Sequence, residues 1–319
     1  MMQARGQDLV ARVTGLAFIA LLVVGIPRIG WASEIAGPVP VAAVSPPSYA
    51  HLPLVARGWE SYSCPITSAN EYDAGIAYQY DLDDPVRPAY NHADKNLNLR
   101  GYTPNTNPDL QRELVNYGTD DPNLPPQLAT MFDPYAVPPL SGFYQVYDWN
   151  WGPSPEPGSR GDPLTSYPVT ALGLQTAPSQ ALHVPVSAYD IGQGMEVLVL
   201  FADESTIALR YTREDSSASQ GYTLHVGNIC TDPNLLALYD ALDDPDGPRY
   251  EYVAPQNRPH GYDLPTLAAG QPFGTARGTE VVVAIVDTGQ FMDPRSCNEW
   301  WQIRPGHEGD CSGAVMGGR

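Results

Sequence analysis

Three histidines are the residues that could do chemistry. His92, in NHADKNLNLRGY, precedes Asp94 by two residues, a spacing that can ligate a metal, but the stretch holds no second histidine. A zinc site needs three or four convergent ligands, so His92 reads as a surface or hydrogen-bonded residue beside a strand suggested by Leu97 and Leu99. His225 alternates with Thr223 on a strand-like run and could act as a base, yet no nucleophile can be named beside it. His183 stands without partners. The nucleophile elbow G-x-S-x-G, the zinc motif H-E-x-x-H and the P-loop are missing, and Gly192 and Gly194 lack the third glycine of a dinucleotide fingerprint. Asp-Asp-Pro recurs at Asp83, Asp120 and Asp243. Such acidic turns can bind calcium, but the spaced acids and terminal glutamate of an EF-hand loop are lacking, and Asx-Pro turns account for all three.

Binding chemistry has a better foothold. GFYQVYDW, from Gly142 to Trp149, alternates as a strand and runs through Asn150-Trp151 into the loop GPSPEPGSRGDP. Tyr147, Trp149 and Trp151 at the end of a strand could present rings to the apolar face of a sugar; the same residues also serve as core or edge packing.

The elements that must carry these residues are strands. The chain has 33 prolines and 29 glycines in 319 residues, about a fifth of the total, which disfavours a helical protein. Its 19 tyrosines supply apolar area to bury. Leu267 to Pro294 reads as turn, short strand, turn, strand and stop: Val281 to Val286 is a continuous apolar, β-branched run suited to burial on both faces, and Asp287-Thr288-Gly289 is a turn. Strands are expected at Val169–Gln175, Glu196–Phe201, Ser205–Glu214 and Gly221–Val226, with a helix opening at Asp232-Pro233. A second helix is expected after the cap-like Asn107-Pro108, burying Leu110, Leu114 and Tyr117 before Gly118, and a further helical turn over Gln127–Phe132. The expected fold is mainly β: an antiparallel sandwich or barrel-like domain with long Pro/Gly-rich loops and one or two short helices.

Residues 1–32 carry Arg5 and Arg12 ahead of the apolar run Val13–Ile26, then Gly30 and Ala32 at −3 and −1 of a cut before Ser33. That pattern reads as a secretory signal peptide, with an uncleaved anchor as the one route to a membrane. Residues 33–57 read as a Pro-rich linker, 58–165 as a loop-rich N-terminal region, 166–303 as the β domain and 304–319 as a flexible tail. Cys64, Cys230, Cys297 and Cys311 are even in number and widely spaced, so in an oxidising compartment two disulfides are expected, in any of three connectivities. A Cys297–Cys311 bond would close a short loop; Cys64–Cys230 would tie the two halves. The net charge of −19 speaks for solubility outside the cell and against nucleic acid.

The order Gly194-Met195-Glu196-Val197, Ala202, Ile207, Gly221-Tyr222, Val226, Leu267 to Gly274, and Gly289 to Asp293-Pro294 resembles the β core of lysostaphin/LytM-type zinc peptidases over residues 186–294. The chain as a whole resembles exported bacterial proteins. The resemblance would place the family's four metal ligands on Glu280, Val282, Val184 and Ala188, with His183 one residue away. Peptidase activity therefore does not carry over, and no cofactor is expected. The reading is a non-catalytic, secreted or extracytoplasmic protein of the bacterial cell envelope, whose β domain binds a cell-wall glycan or an envelope protein; the alternative is an envelope hydrolase, a metal-dependent peptidase or a glycosidase, using His92, His183 or His225.

Overall fold

The computed structural model describes residues 62–78, 88–117, 123–153, 156–213, 221–242, 261–307, 311 and 315–316. The expected leader, the linker, all three Asp-Asp-Pro turns and residues 215–220 lie outside the described residues. Gly58–Arg319 form one unit, separate from Met1–Arg57.

The strands are β1 (Asp73–Tyr78), β2 (Tyr102–Pro104), β3 (Val115–Asn116), β4 (Leu140–Asn150), β5 (Ser159–Pro163), β6 (Ala171–Gln175), β7 (Ala181–His183), β8 (Val197–Ala202), β9 (Thr206–Arg210), β10 (Tyr222–Gly227), β11 (Ile229–Thr231), β12 (Gly261–Leu267), β13 (Pro272–Ala276), β14 (Glu280–Asp287), β15 (Gln290–Phe291) and β16 (Val315–Met316). The helices are α1 (Leu97–Arg100), α2 (Pro233–Leu242) and α3 (Cys297–Trp300), with 3-10 turns at Ala89–Asn91 and Leu128–Met131. The fold is mainly β. Eleven strands make one antiparallel sheet in the order β1-β12-β8-β9-β10-β14-β6-β4-β2, with β15 beside β14 and β5 beside β4; β11-β13-β7 form a second, small sheet. Strands from the first and second halves of the chain thus share one sheet.

β14 sits near the middle of that sheet, between β10 and β6, and its apolar run is buried on both sides as its composition requires. Val281, Val283 and Ile285 enter the main core with Leu209, Leu224 and Phe273. Val282, Ala284 and Val286 enter a second cluster with Leu97, Val146, Ala171 and Phe291. The strand reverses into β15 through Thr288 (φ 45°) and Gly289 (φ 79°), the left-handed pair that a tight hairpin needs. The second face is the more polar: Arg210 and His225 are buried on its strands, and Arg100 comes down on it from α1, 4.7 Å from the Phe291 ring centroid.

Two disulfides, Cys64–Cys230 and Cys297–Cys311, fasten the ends. The first acts with Asp232: its carboxylate accepts from the Ser68 hydroxyl (2.6 Å) and the Asn70 amide (2.7 Å), while its other oxygen caps the start of α2 at Asn234 N (2.9 Å). The second lies beside Trp300 and Trp301, which are buried and donate to the carbonyls of Asp293 (3.0 Å) and Pro294 (2.8 Å). Within the expected tail, Val315 and Met316 pair in parallel with β3.

No helix follows Asn107. Asn105 and Asn107 instead accept from the backbone N–H groups of Asn107 and Asp109 (2.9 and 3.0 Å), closing Asx turns, and Val115 is drawn into extended pairing. Leu97 and Leu99 lie in a short helix, not a strand: Asn96 caps it by accepting from Leu99 N (3.1 Å).

Candidate functional site

β4, next to the edge strands β2 and β5 of the large sheet, carries the aromatic residues and pairs antiparallel with β5. The β4–β5 register shifts opposite Tyr147 and Trp149, with the extra residue on β5, and the three rings differ in their burial. Tyr147 is half-buried, with the Arg160 guanidinium 5.7 Å from its ring centroid. Trp149 is buried and its indole N–H donates to the Pro157 carbonyl (2.6 Å), which fixes the hairpin loop from within. The loop closes at Gly158 (φ 96°), where a Cβ would strike the Asn150 carbonyl, so only glycine fits. Trp151 is 44% exposed.

Trp151 is held edge-on from two sides. Its ring meets Trp149 at 6.3 Å and 69°, and His92 at 5.0 Å and 65°. His92 is itself buried, at the end of the 3-10 turn that carries the exposed Tyr90. Trp151 therefore packs on a buried histidine from a separate segment of chain, which carries the exposed Tyr90 two residues earlier.

Arginines lock those segments together. Arg160 donates to the carbonyls of Leu99 and Asn98, both at 3.0 Å, tying the β4–β5 hairpin to α1. Arg100 donates from Nε to the Tyr147 carbonyl (2.8 Å), pairs tightly with Asp94 and lies 3.9 Å from Asp148. Burial pulls the Arg100 pKa below its usual value, and Asp94 and Asp148 oppose that shift. The exposed Asp148 and Asn150 add polar groups on the same strand end. An exposed, flat indole offers an apolar face on which the C–H face of a sugar can stack.

The histidines do not form a centre. His183 lies on β7 in the small sheet, its Nδ1 3.4 Å from the Met131 carbonyl. His225 lies in the large sheet between Ala208 and Ala284 on the neighbouring strands, stacked on Phe291 at 5.9 Å and 23°. Neither of its ring nitrogens has a hydrogen-bond partner among the described residues. Burial, reinforced by Arg100 and Arg210, lowers its pKa to about 3, so the ring is neutral at neutral pH. Arg210 is buried alongside, donating to Thr223 (2.9 Å) and Thr212 (3.0 Å).

The residues at the metal-ligand positions of the peptidase resemblance do not fit a zinc ion. Val282 and Val184 are buried apolar side chains and Ala188 has no donor. Glu280 has its two carboxylate oxygens engaged, one by the Tyr144 hydroxyl (2.7 Å) and one by the Ser141 hydroxyl (2.5 Å). Burial and then Glu280 push the Tyr144 hydroxyl well above the usual tyrosine pKa. Among the described residues, no three His, Cys, Asp or Glu side chains are grouped to hold a metal.

Arg100, Arg160 and Gly158 support the aromatic site and carry no recognisable signal in sequence. No protein-family model matches the chain and no curated protein matches it, so the functional reading rests on this geometry.

Proposed function

We propose that this is a non-catalytic, exported protein of the bacterial cell envelope that binds a cell-wall glycan through Trp151 and Tyr90. The observation that carries the reading is the exposed Trp151 ring held edge-on by two buried rings, Trp149 and His92. Such a ring is ordered before the ligand arrives, so little side-chain freedom is lost on binding. The two disulfides are consistent with an extracytoplasmic compartment, and the net charge of −19 suits a soluble surface there. On this reading the likeness to lysostaphin/LytM-type peptidases is one of scaffold, with Glu280 as a structural clamp where that family places a metal ligand. Sedimentation with purified peptidoglycan sacculi tests the proposal. Trp151→Ala should reduce retention at least tenfold and Tyr90→Ala several-fold, without change in the far-UV spectrum. Unchanged retention of Trp151→Ala would sink the glycan reading.

A further inference from the structure

The segment 62–72 leads into β1 without belonging to a strand or helix, and its exposure alternates: Tyr62, Cys64, Ser68, Asn70 and Tyr72 are partly buried, and the odd-numbered residues between them are exposed. Ile66 breaks the pattern. It stands where the alternation calls for a covered side chain, yet it is 91% exposed, and the chain bends at it. Pro65 and Thr67 on either side are exposed as well. Among the described residues, the backbone groups of these three make no backbone hydrogen bond.

Both sides of this projection are pinned. Two residues before Ile66, Cys64 is bonded to Cys230 on β11. Two residues after it, the Ser68 hydroxyl donates to Asp232 (2.6 Å) and accepts from Asn70 N (3.0 Å), while the Asn234 amide donates to the carbonyls of Ser68 (3.2 Å) and Asn70 (2.8 Å). Farther on, the Tyr72 hydroxyl donates to the Pro272 carbonyl (3.0 Å). Pro65 fixes one more backbone angle between the anchors. A single exposed aliphatic side chain is ordinary on a protein surface; one presented on a segment fastened at both ends loses little freedom when a partner takes it up.

The shape and chemistry of the tip specify the partner. Three consecutive exposed residues are too narrow for a flat interface, which takes about 800 Å² from each side, but they fit a cleft that receives a length of chain and one side chain in a pocket. A β-branched aliphatic residue matches the small apolar pocket of an elastase-type enzyme and offers nothing to the acidic pocket of a trypsin-type one. We propose that residues 64–68 form an inhibitory loop for a serine protease of elastase type, with Ile66 in the specificity pocket and Pro65 and Thr67 on either side of it in the cleft. Attack of the enzyme's serine on the Ile66 carbonyl forms an acyl ester and breaks the bond to Thr67, whose nitrogen takes the serine's proton. With Cys64 and Ser68 holding both ends, that amine stays in place to displace the serine and restore the peptide bond, so the chain acts as an inhibitor more than as a substrate. The loop shares no residue with the aromatic surface at Trp151, and the two readings stand or fall separately.

Inhibition assays on the full chain with pancreatic elastase and with trypsin, each read with a chromogenic peptide substrate, test the proposal. The native chain should inhibit elastase saturably and leave trypsin active. Ile66→Lys exchanges the side chain for one that suits the acidic pocket. At this exposed position the melting temperature should not change, inhibition of elastase should weaken at least tenfold, and inhibition of trypsin should appear. Ser68→Ala loosens one anchor, and elastase should cut it between Ile66 and Thr67 at least tenfold faster than it cuts the native chain. The proposal is overturned if the native chain does not inhibit elastase, if Ile66→Lys inhibits elastase as well as the native chain does, or if Ile66→Lys leaves trypsin fully active.

Discussion

His225 should make the protein sensitive to mild acid. Its ring is fully buried, has no hydrogen-bond partner among the described residues, and faces the guanidinium groups of Arg100 and Arg210. These surroundings hold its pKa near 3 in the folded chain, against about 6.5 in the unfolded one. Above pH 6.5 both states carry a neutral ring and the residue contributes no pH dependence. Below it, the unfolded chain binds a proton that the folded chain refuses, so stability falls as pH drops, by about 1.4 kcal/mol per pH unit. At pH 5 the loss from this residue is about 2 kcal/mol, and it continues to grow until pH approaches 3. The perturbation that isolates it is His225→Phe, which keeps an aromatic ring against Phe291 and removes the titrating group. At pH 7.5 the variant should be at least as stable as the native chain to within about 1 kcal/mol, because two buried nitrogens without partners are removed. Urea unfolding of both proteins at pH 7.5 and pH 5 reads the effect. The native chain should lose about 2 kcal/mol more than the variant between the two pH values. Parallel losses would refute the burial and neutrality assigned to His225.

Three further perturbations test the scaffold. Gly173→Ala places a Cβ against the Glu280 carboxylate and the Gly142 backbone, and should lower stability by about 1–3 kcal/mol in urea unfolding. Asp232→Ala removes the cap of α2 and the anchor of Ser68 and Asn70 at once; a loss of about 2 kcal/mol is expected, with faster proteolysis near residue 68 as a local readout. Replacing Cys64 and Cys230 by serine opens a bridge 166 residues apart in sequence and should lower stability by about 2–5 kcal/mol in calorimetry under non-reducing conditions.

The parts of the fold legible in sequence are those whose local pattern and tertiary surroundings agree. Val281–Val286 is β-branched and apolar at every position but one, and it lies where both faces of a strand are covered. Asp287-Thr288-Gly289 offers a left-handed pair where a hairpin needs one, and Asp232-Pro233 starts a helix because the aspartate can cap it. The segment after Asn107 misleads because helical spacing of Leu110, Leu114 and Tyr117 competes with asparagine side chains that bond their own backbone. Val115 then finds a strand partner some 200 residues away, a pairing no local pattern announces. The same limit applies to the aromatic site. Tyr147, Trp149 and Trp151 look alike along the chain, and it is the tertiary surroundings, the Pro157 carbonyl and the close approach of Gly158 among them, that hold Trp149 inside while Trp151 is exposed. The contacts of Arg100 and Arg160 that lock the site join segments 47 to 62 residues apart, so they belong to the fold and cannot be read from spacing.

The central claim is that the ordered Trp151 ring is a glycan-binding surface, and its most direct test is a binding isotherm on peptidoglycan sacculi for the native chain, Trp151→Phe and Trp151→Ala in parallel. Saturable binding by the native chain, partial retention of affinity in the phenylalanine variant and at least a tenfold loss in the alanine variant are expected. Identical isotherms for all three proteins, or no saturable binding by the native chain, would contradict it.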